Sequence, residues 1–126
     1  MNNSAHSVLV VDDNRMNRLK MLRALKTENY DLHEAPGGQE AIEILQSQAF
    51  DLVLLDILMP DIDGFQVLEQ MQADQRLAEI PVVMVSAVDE QEAVEKCLAM
   101  GAVDFIAKSS DAETLKNRVK AILEGG

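Results

Sequence analysis

Residues 51–64 read Asp51-Leu52-Val53-Leu54-Leu55-Asp56-Ile57-Leu58-Met59-Pro60-Asp61-Ile62-Asp63-Gly64. Four apolar residues in a row suit a strand covered on both faces of its sheet. The run stops at an acid, Asp56, and the chain then turns through Pro60 and Gly64. Three further runs end in the same manner: residues 8–11 at Asp12-Asp13, residues 82–85 at Ser86, and residues 103–107 at Lys108. Longer stretches with helical spacing separate them. Short apolar strands alternating with helices build βαβ units and a parallel sheet. Parallel strands share one carboxyl edge, where open α/β sheets bind ligands. Three carboxylates, a hydroxyl and an amine should therefore meet there.

The helices are legible in outline. Met16, Leu19, Leu22 and Leu25 step by three and mark the first. Ala41, Ile42 and Leu45 follow Gly37-Gly38 and mark the second; Phe65, Leu68 and Met71 follow Gly64 and mark the third. Val94, Cys97 and Leu98 mark the fourth, with Asp89 as N-cap and Gly101 as its stop. Leu115, Val119 and Ile122 mark the fifth, opened by Ser110-x-x-Glu113 as a capping box. Residues 30–35 alternate and are more polar, as an edge strand would be. Five strands and five helices in strict alternation are expected, and right-handed crossovers leave few ways to wind them.

Composition narrows the function. The chain's 126 residues suffice for one domain, and with only 3% aromatic residues the core must be aliphatic. A net charge of −11 argues against gripping nucleic-acid phosphates, which takes clustered Lys and Arg. Most of that acidity reads as solubility, and some as a metal site. A single cysteine, Cys97, excludes an internal disulfide, fits a reducing compartment and reads as a buried thiol. No apolar run reaches the roughly 18 residues of a membrane span, and residues 1–7 lack the apolar core of a signal peptide. A cytoplasmic module is expected.

The acids carry the chemistry. Two carboxylates ~5 Å apart repel by about 3 kcal/mol at an effective dielectric near 20. A third acid makes the group one coupled unit. Mg²⁺ relieves such a cluster: it takes one or two carboxylates, keeps several waters and accepts phosphate oxygens. A lone acid at a strand end is usually a turn former. Acids at two strand ends, with Ser86 and Lys108 at two more, form a set. A carboxylate can accept a phosphoryl group, and Asp56 is the best placed. Lys108 would pair with it before transfer and with a phosphoryl oxygen afterwards, while the Ser86 hydroxyl donates to another.

These residues resemble the receiver domain of bacterial two-component response regulators, over residues 7–123. The matching pieces are Val8-Leu9-Val10-Val11-Asp12-Asp13-Asn14, the whole of 51–64, Pro81-Val82-Val83-Met84-Val85-Ser86-Ala87, and Gly101-Ala102-Val103-Asp104-Phe105-Ile106-Ala107-Lys108. The resemblance implies a single doubly wound (βα)5 flavodoxin-like α/β domain. Its five-stranded parallel sheet would have the family's order 2-1-3-4-5, with Asp56 ending the central strand. It implies Asp56 as phosphoacceptor. It implies Asp13, Asp56 and the backbone carbonyl of Leu58 as ligands of Mg²⁺ (or Mn²⁺), with Asp12 acting through water. Ser86 and Lys108 would sense the phosphoryl group, and Phe105 would be the switch aromatic that turns inward when Ser86 moves.

The implied donor is a phosphohistidine on a sensor histidine kinase or histidine phosphotransfer protein. His6 and His33 are unsuited to that role themselves. The implied output is a shift of the face made by the fourth helix, fifth strand and fifth helix, read by an effector domain, a partner protein or a second copy. No direct nucleic-acid or membrane contact is expected. Residues 1–6 would be a disordered leader and 124–126 a linker start or the chain's end. Residues 86–107 also resemble receivers joined to nucleotide or cyclic-dinucleotide cyclases.

Two positions set this chain apart. The family usually has a proline after the lysine, joined by a cis bond; here Ser109-Ser110 follow Lys108. A cis bond before a non-proline residue costs about 3–4 kcal/mol, so the loop is either strained or trans with a different approach for Lys108. The other is Leu58, at a position that varies across the family and tunes hydrolysis of the acyl phosphate. An apolar side chain cannot orient the attacking water by hydrogen bonding, so a longer-lived phosphoryl state is expected.

Three rivals fit less well. A haloacid-dehalogenase-type phosphatase would place a second acid where Leu58 stands and would add a cap domain. A phosphorylation-independent interaction domain on this fold normally lacks part of the acid–Ser–Lys set. A flavin-binding domain would need a phosphate cradle where Asp12-Asp13 repel phosphate.

Overall fold

The computed structural model describes residues 5–87 and 90–124. Asp89, expected as a helix cap, lies outside them, as do residues 1–4 of the leader and Gly125-Gly126. The strands are β1 (Ser7–Val11), β2 (Asp31–Ala35), β3 (Leu52–Leu55), β4 (Val82–Ser86) and β5 (Asp104–Ala107). The helices are α1 (Arg15–Leu25), α2 (Gly38–Ser47), α3 (Gly64–Ala73), α4 (Gln91–Ala99) and α5 (Ala112–Glu124). A short 3-10 turn, Leu77–Glu79, interrupts the expected strict alternation. The sheet is parallel throughout, in the order β2-β1-β3-β4-β5, which bears out the expected doubly wound (βα)5 flavodoxin-like domain.

Strand residues alternate between two cores. Leu9, Val11, Val53, Leu55 and Met84 pack against α2, α3 and Cys97 of α4. Val8, Val10, Leu52, Leu54, Val83, Val85 and Ile106 pack against α1 and α5. Every residue of β3 is buried, so each of its aliphatic side chains contributes roughly 1.5–3 kcal/mol. The edge strand β2 keeps only Ala35 buried, in keeping with its polar pattern.

Three expectations need correcting. The buried stripe of α1 is Met21, Ala24 and Leu25, whereas Met16 is 68% exposed. Steps of three residues advance 300°, so after nine residues the stripe has rotated half a turn, and Met16 and Leu25 lie on opposite faces. In α4, Cys97 is buried but Leu98 is exposed. The cap of α5 is Asp111, whose Oδ1 accepts the Thr114 N–H at 2.8 Å, one residue later than the expected Ser110–Glu113 box. A capping box does form at α3, where Asp63 and Gln66 exchange side-chain-to-backbone hydrogen bonds of 2.9 and 2.8 Å.

Two glycines are dictated by geometry. Gly101 stops α4 at a φ of 112°, a backbone conformation that L side chains rarely adopt. Gly64 opens α3 so close to the end of β3 that a Cβ would collide with the Asp56 carbonyl oxygen.

Candidate functional site

The sheet's backbone hydrogen bonds run one residue past three of the strands. The Asp12 N–H donates to the Ala35 carbonyl (3.2 Å), Asp56 to Val11 (3.0 Å) and Lys108 to Ser86 (3.0 Å). Each of these three residues is thus fixed as though still within a strand, and their side chains converge. Lys108 Nζ lies 2.8 Å from Asp12 Oδ2 and 3.1 Å from Asp56 Oδ2. Asp12, Asp13 and Asp56 each bring a carboxylate oxygen within 4.8 Å of the others. Asp12 and Asp56 are buried, while Asp13 is open to solvent.

The supports around Asp12 are local. Its Oδ1 accepts the Asn14 N–H at 2.9 Å, and Asn14 in turn caps α1 through the Asn17 N–H at 3.0 Å. The Arg18 guanidinium donates to the Asp12 carbonyl at 2.7 Å and pairs with Glu34 at 2.7 Å. Each buried acid keeps one oxygen, Asp12 Oδ2 and Asp56 Oδ1, without a hydrogen bond among the described residues, and only the first has Lys108 Nζ at ion-pair distance. Asp56 Oδ1 thus carries most of its desolvation penalty uncompensated. An unpartnered carboxylate oxygen beside two further acids is the donor set a hard divalent cation takes.

The electrostatics follow. Burial pushes the Asp56 carboxyl above its usual value, and the charge of Asp12 adds to that, with Lys108 opposing. Burial alone would pull the Lys108 ammonium down, but Asp12 and Asp56 together outweigh it and raise the group, keeping it charged.

Ser86 ends β4 and is buried. Phe105, on the neighbouring β5, is half-buried and packs against the core beneath α2, α3 and α4. Leu58 is 59% exposed and lines an open cleft with Asp13, Met59, Pro60 and Asp63. Among the described residues every peptide bond is trans, so Lys108 reaches the acids through a trans bond to Ser109.

Some contacts were not legible in the sequence. The closer partner of Lys108 is Asp12 rather than Asp56 alone. Asp61 accepts the Gln39 N–H at 2.9 Å and the Gly38 N–H at 3.3 Å, so it caps α2 from another loop. Those bonds, the Gln39 one foremost, hold its carboxyl below the usual range. The available signal was the start of α2: Gly37 stands at the cap position and has no side chain to serve there.

The model of the response regulator receiver domain matches residues 8–120. The chain belongs to that family. This receiver domain is 30% identical over 118 residues to the protein PilH of Pseudomonas aeruginosa, covering 94% of its own length and 98% of PilH. It is 31% identical over 119 residues to the transcriptional regulatory protein SrrA of Staphylococcus aureus, of which it spans 48%. Among solved structures, the chemotaxis protein CheY4 of Vibrio cholerae superposes with a TM-score of 0.89 at 26% identity, over 95% of this receiver domain and all of CheY4. A BeF3-activated DrrB receiver domain gives a TM-score of 0.86 at 26% identity, over 96% and 99% of the two chains. Receiver domains are signalling domains, and the acids of this one could hold a metal ion. Among the described residues no helix is long and apolar enough to cross a membrane.

Proposed function

We propose that this receiver domain takes a phosphoryl group from a phosphohistidine of a sensor kinase or phosphotransfer protein onto Asp56. The observation that carries the reading is the state of Asp56. It is a buried carboxylate with one oxygen unpartnered and the other 3.1 Å from Lys108. In the transfer, a bond forms between an Asp56 oxygen and phosphorus as the bond to the histidine nitrogen breaks. The electron pair leaves with the imidazole. Lys108 passes from the carboxylate to a phosphoryl oxygen, and the Ser86 hydroxyl donates to another. The chain's contribution is positioning and charge neutralisation.

Asp13, Asp56 and the Leu58 carbonyl would hold Mg²⁺ (Mn²⁺ can substitute), with Asp12 acting through water. The bound ion supplies charge neutralisation between the acids and the incoming phosphoryl group. Phosphorylation biases a two-state equilibrium. Ser86 moves toward the phosphoryl group, Phe105 turns inward, and the face of α4, β5 and α5 changes for an effector domain, a partner protein or a second copy. Residues 7–123 act as the receiver unit, in the cytoplasm, and its only chemistry is self-phosphorylation and its reversal.

Intact-protein mass spectrometry after incubation with acetyl phosphate tests this. A gain of one phosphoryl group that needs Mg²⁺ and is abolished in Asp56→Asn is expected. No gain under any condition, with a cognate kinase included, would instead leave a phosphorylation-independent interaction domain.

A further inference from the structure

Lys108 is held at both ends of its own backbone, and only one of the two supports belongs to the sheet. Its N–H donates to the Ser86 carbonyl at 3.0 Å, the last bond between β4 and β5. Its carbonyl accepts from Lys20 Nζ at 3.1 Å, a contact that crosses from α1. Beyond this point the chain is Ser109-Ser110, two small residues whose own support is the Ser110 N–H bond to the Ala107 carbonyl at 2.9 Å. Beneath the loop lies a cavity between α1 and α5, lined by Met21, Ala24, Ile106 and Leu115 among others, with Lys20 and Lys108 at its wall. The loop borders this small cavity through Lys108 and Ser110, Ser109 is exposed, and the residue after Lys108 brings no ring to stiffen it.

We infer that Lys20 is a positioning residue for phosphoryl transfer. It is a strut from α1 that fixes the Lys108 carbonyl, and through it the direction in which the Lys108 side chain leaves the sheet. Lys108 must meet Asp12 and Asp56 at 2.8 and 3.1 Å before transfer and a phosphoryl oxygen afterwards. A small swing of its backbone moves the ammonium off both. The inference rests on the proposed role of Lys108 and adds to it a residue that touches neither the acids nor the phosphoryl group. Lys20 is exposed, so the strut has the modest strength of a charge-assisted hydrogen bond at a surface. Its loss should slow transfer by about three- to tenfold rather than abolish it.

The test compares Lys20→Met, which keeps length and apolar stem, with Lys20→Arg, which keeps a donor. Phosphorylation by acetyl phosphate should slow about three- to tenfold in Lys20→Met and recover in Lys20→Arg, while Mg²⁺ affinity and the urea midpoint stay at the wild-type values. The slowing should persist at high salt, where attraction of an anionic donor by an exposed charge is screened. It should shrink below about twofold when Ser109→Pro stiffens the loop by other means. A loss that vanishes with salt, or that is equally large beside Ser109→Pro, overturns the strut. Backbone amide exchange at Ser109 and Ser110 is read in parallel and does not depend on phosphorylation. It should speed up in Lys20→Met, and unchanged exchange overturns the inference. If wild type takes up no phosphoryl group, the proposed function fails on its own account, and the exchange measurement still decides the strut.

Discussion

At the amino end of the sheet, His6 lies 3.9 Å from Asp51 and His33 lies 3.0 Å from Asp31, with Ser7 bonded to both acids. At the carboxyl end, Lys108 meets Asp12 and Asp56 at similar distances. The bases differ, imidazoles charged only when protonated against a lysine ammonium, and so does the water. The acids of the first end are 52% and 59% exposed, whereas those of the second are 0% and 2% exposed. Solvent lets Asp31 titrate as a surface acid, held low chiefly by its hydrogen bond to His33. Asp56 is driven the other way by burial and by Asp12. Acid–base pairings thus give a solvated rim at one end and a buried, electrostatically costly cluster at the other. Burial makes a charge at the second end far costlier to hold than one at the first.

The largest effect should come from removing the cation that meets both buried carboxylates. Lys108→Met leaves Asp12 and Asp56 facing each other and should cost about 3 kcal/mol in metal-free buffer. Much of that should return when Mg²⁺ is added, as read by urea unfolding with and without the ion. A midpoint that ignores both the substitution and Mg²⁺ would break the contrast between the two ends.

A smaller effect should appear in the pH dependence. The folded chain holds the Asp56 carboxyl above its ordinary 3.8, so it keeps a proton that the unfolded chain has already released. Without metal, stability should fall as pH rises from 3.8 through the raised value, and Asp56→Asn should flatten that slope. Below 3.8 the trend should reverse, as the carboxyls of Asp31, Asp61 and Asp111, all held low, take up protons and lose their hydrogen bonds. Urea midpoints across acidic pH, wild type against Asp56→Asn, check both limbs. The smallest effect belongs to the solvated end: Asp31→Asn removes an ionised partner of His33 at an exposed site and should lower the urea midpoint near neutral pH only slightly. A clear drop there would mean the rim is coupled to the core after all.

The sequence was most readable where one periodicity dominates. The apolar runs of β1, β3 and β4 permit no polar face, so the residues that end them stood out and the carboxyl edge followed. Helix faces were harder. A three-residue stride looks periodic over two turns and has lost its face by the third, which is why Met16 was misplaced. Caps were ambiguous where candidates overlap: residues 110–114 offer both Ser110-x-x-Glu113 and Asp111-x-x-Thr114, and three-dimensional context chose the second. Contacts made across the fold left no local trace. The bare cap at Gly37 calls for a partner without naming Asp61, and nothing near Lys108 announces Lys20 or that Asp12 is its closer partner.

The turn after β3 is secured three times over: by Asp61 on α2, by the Asp63–Gln66 box, and by the fit of Gly64 against Asp56. Leu58 hangs from that fixed backbone with its side chain in solvent. Its identity can therefore vary without disturbing the acceptor. If the Leu58 side chain tunes hydrolysis of the acyl phosphate, as the family resemblance implies, duration and reception are written in separate residues, so that mutation there would lengthen or shorten this protein's memory of a signal while leaving its hearing intact.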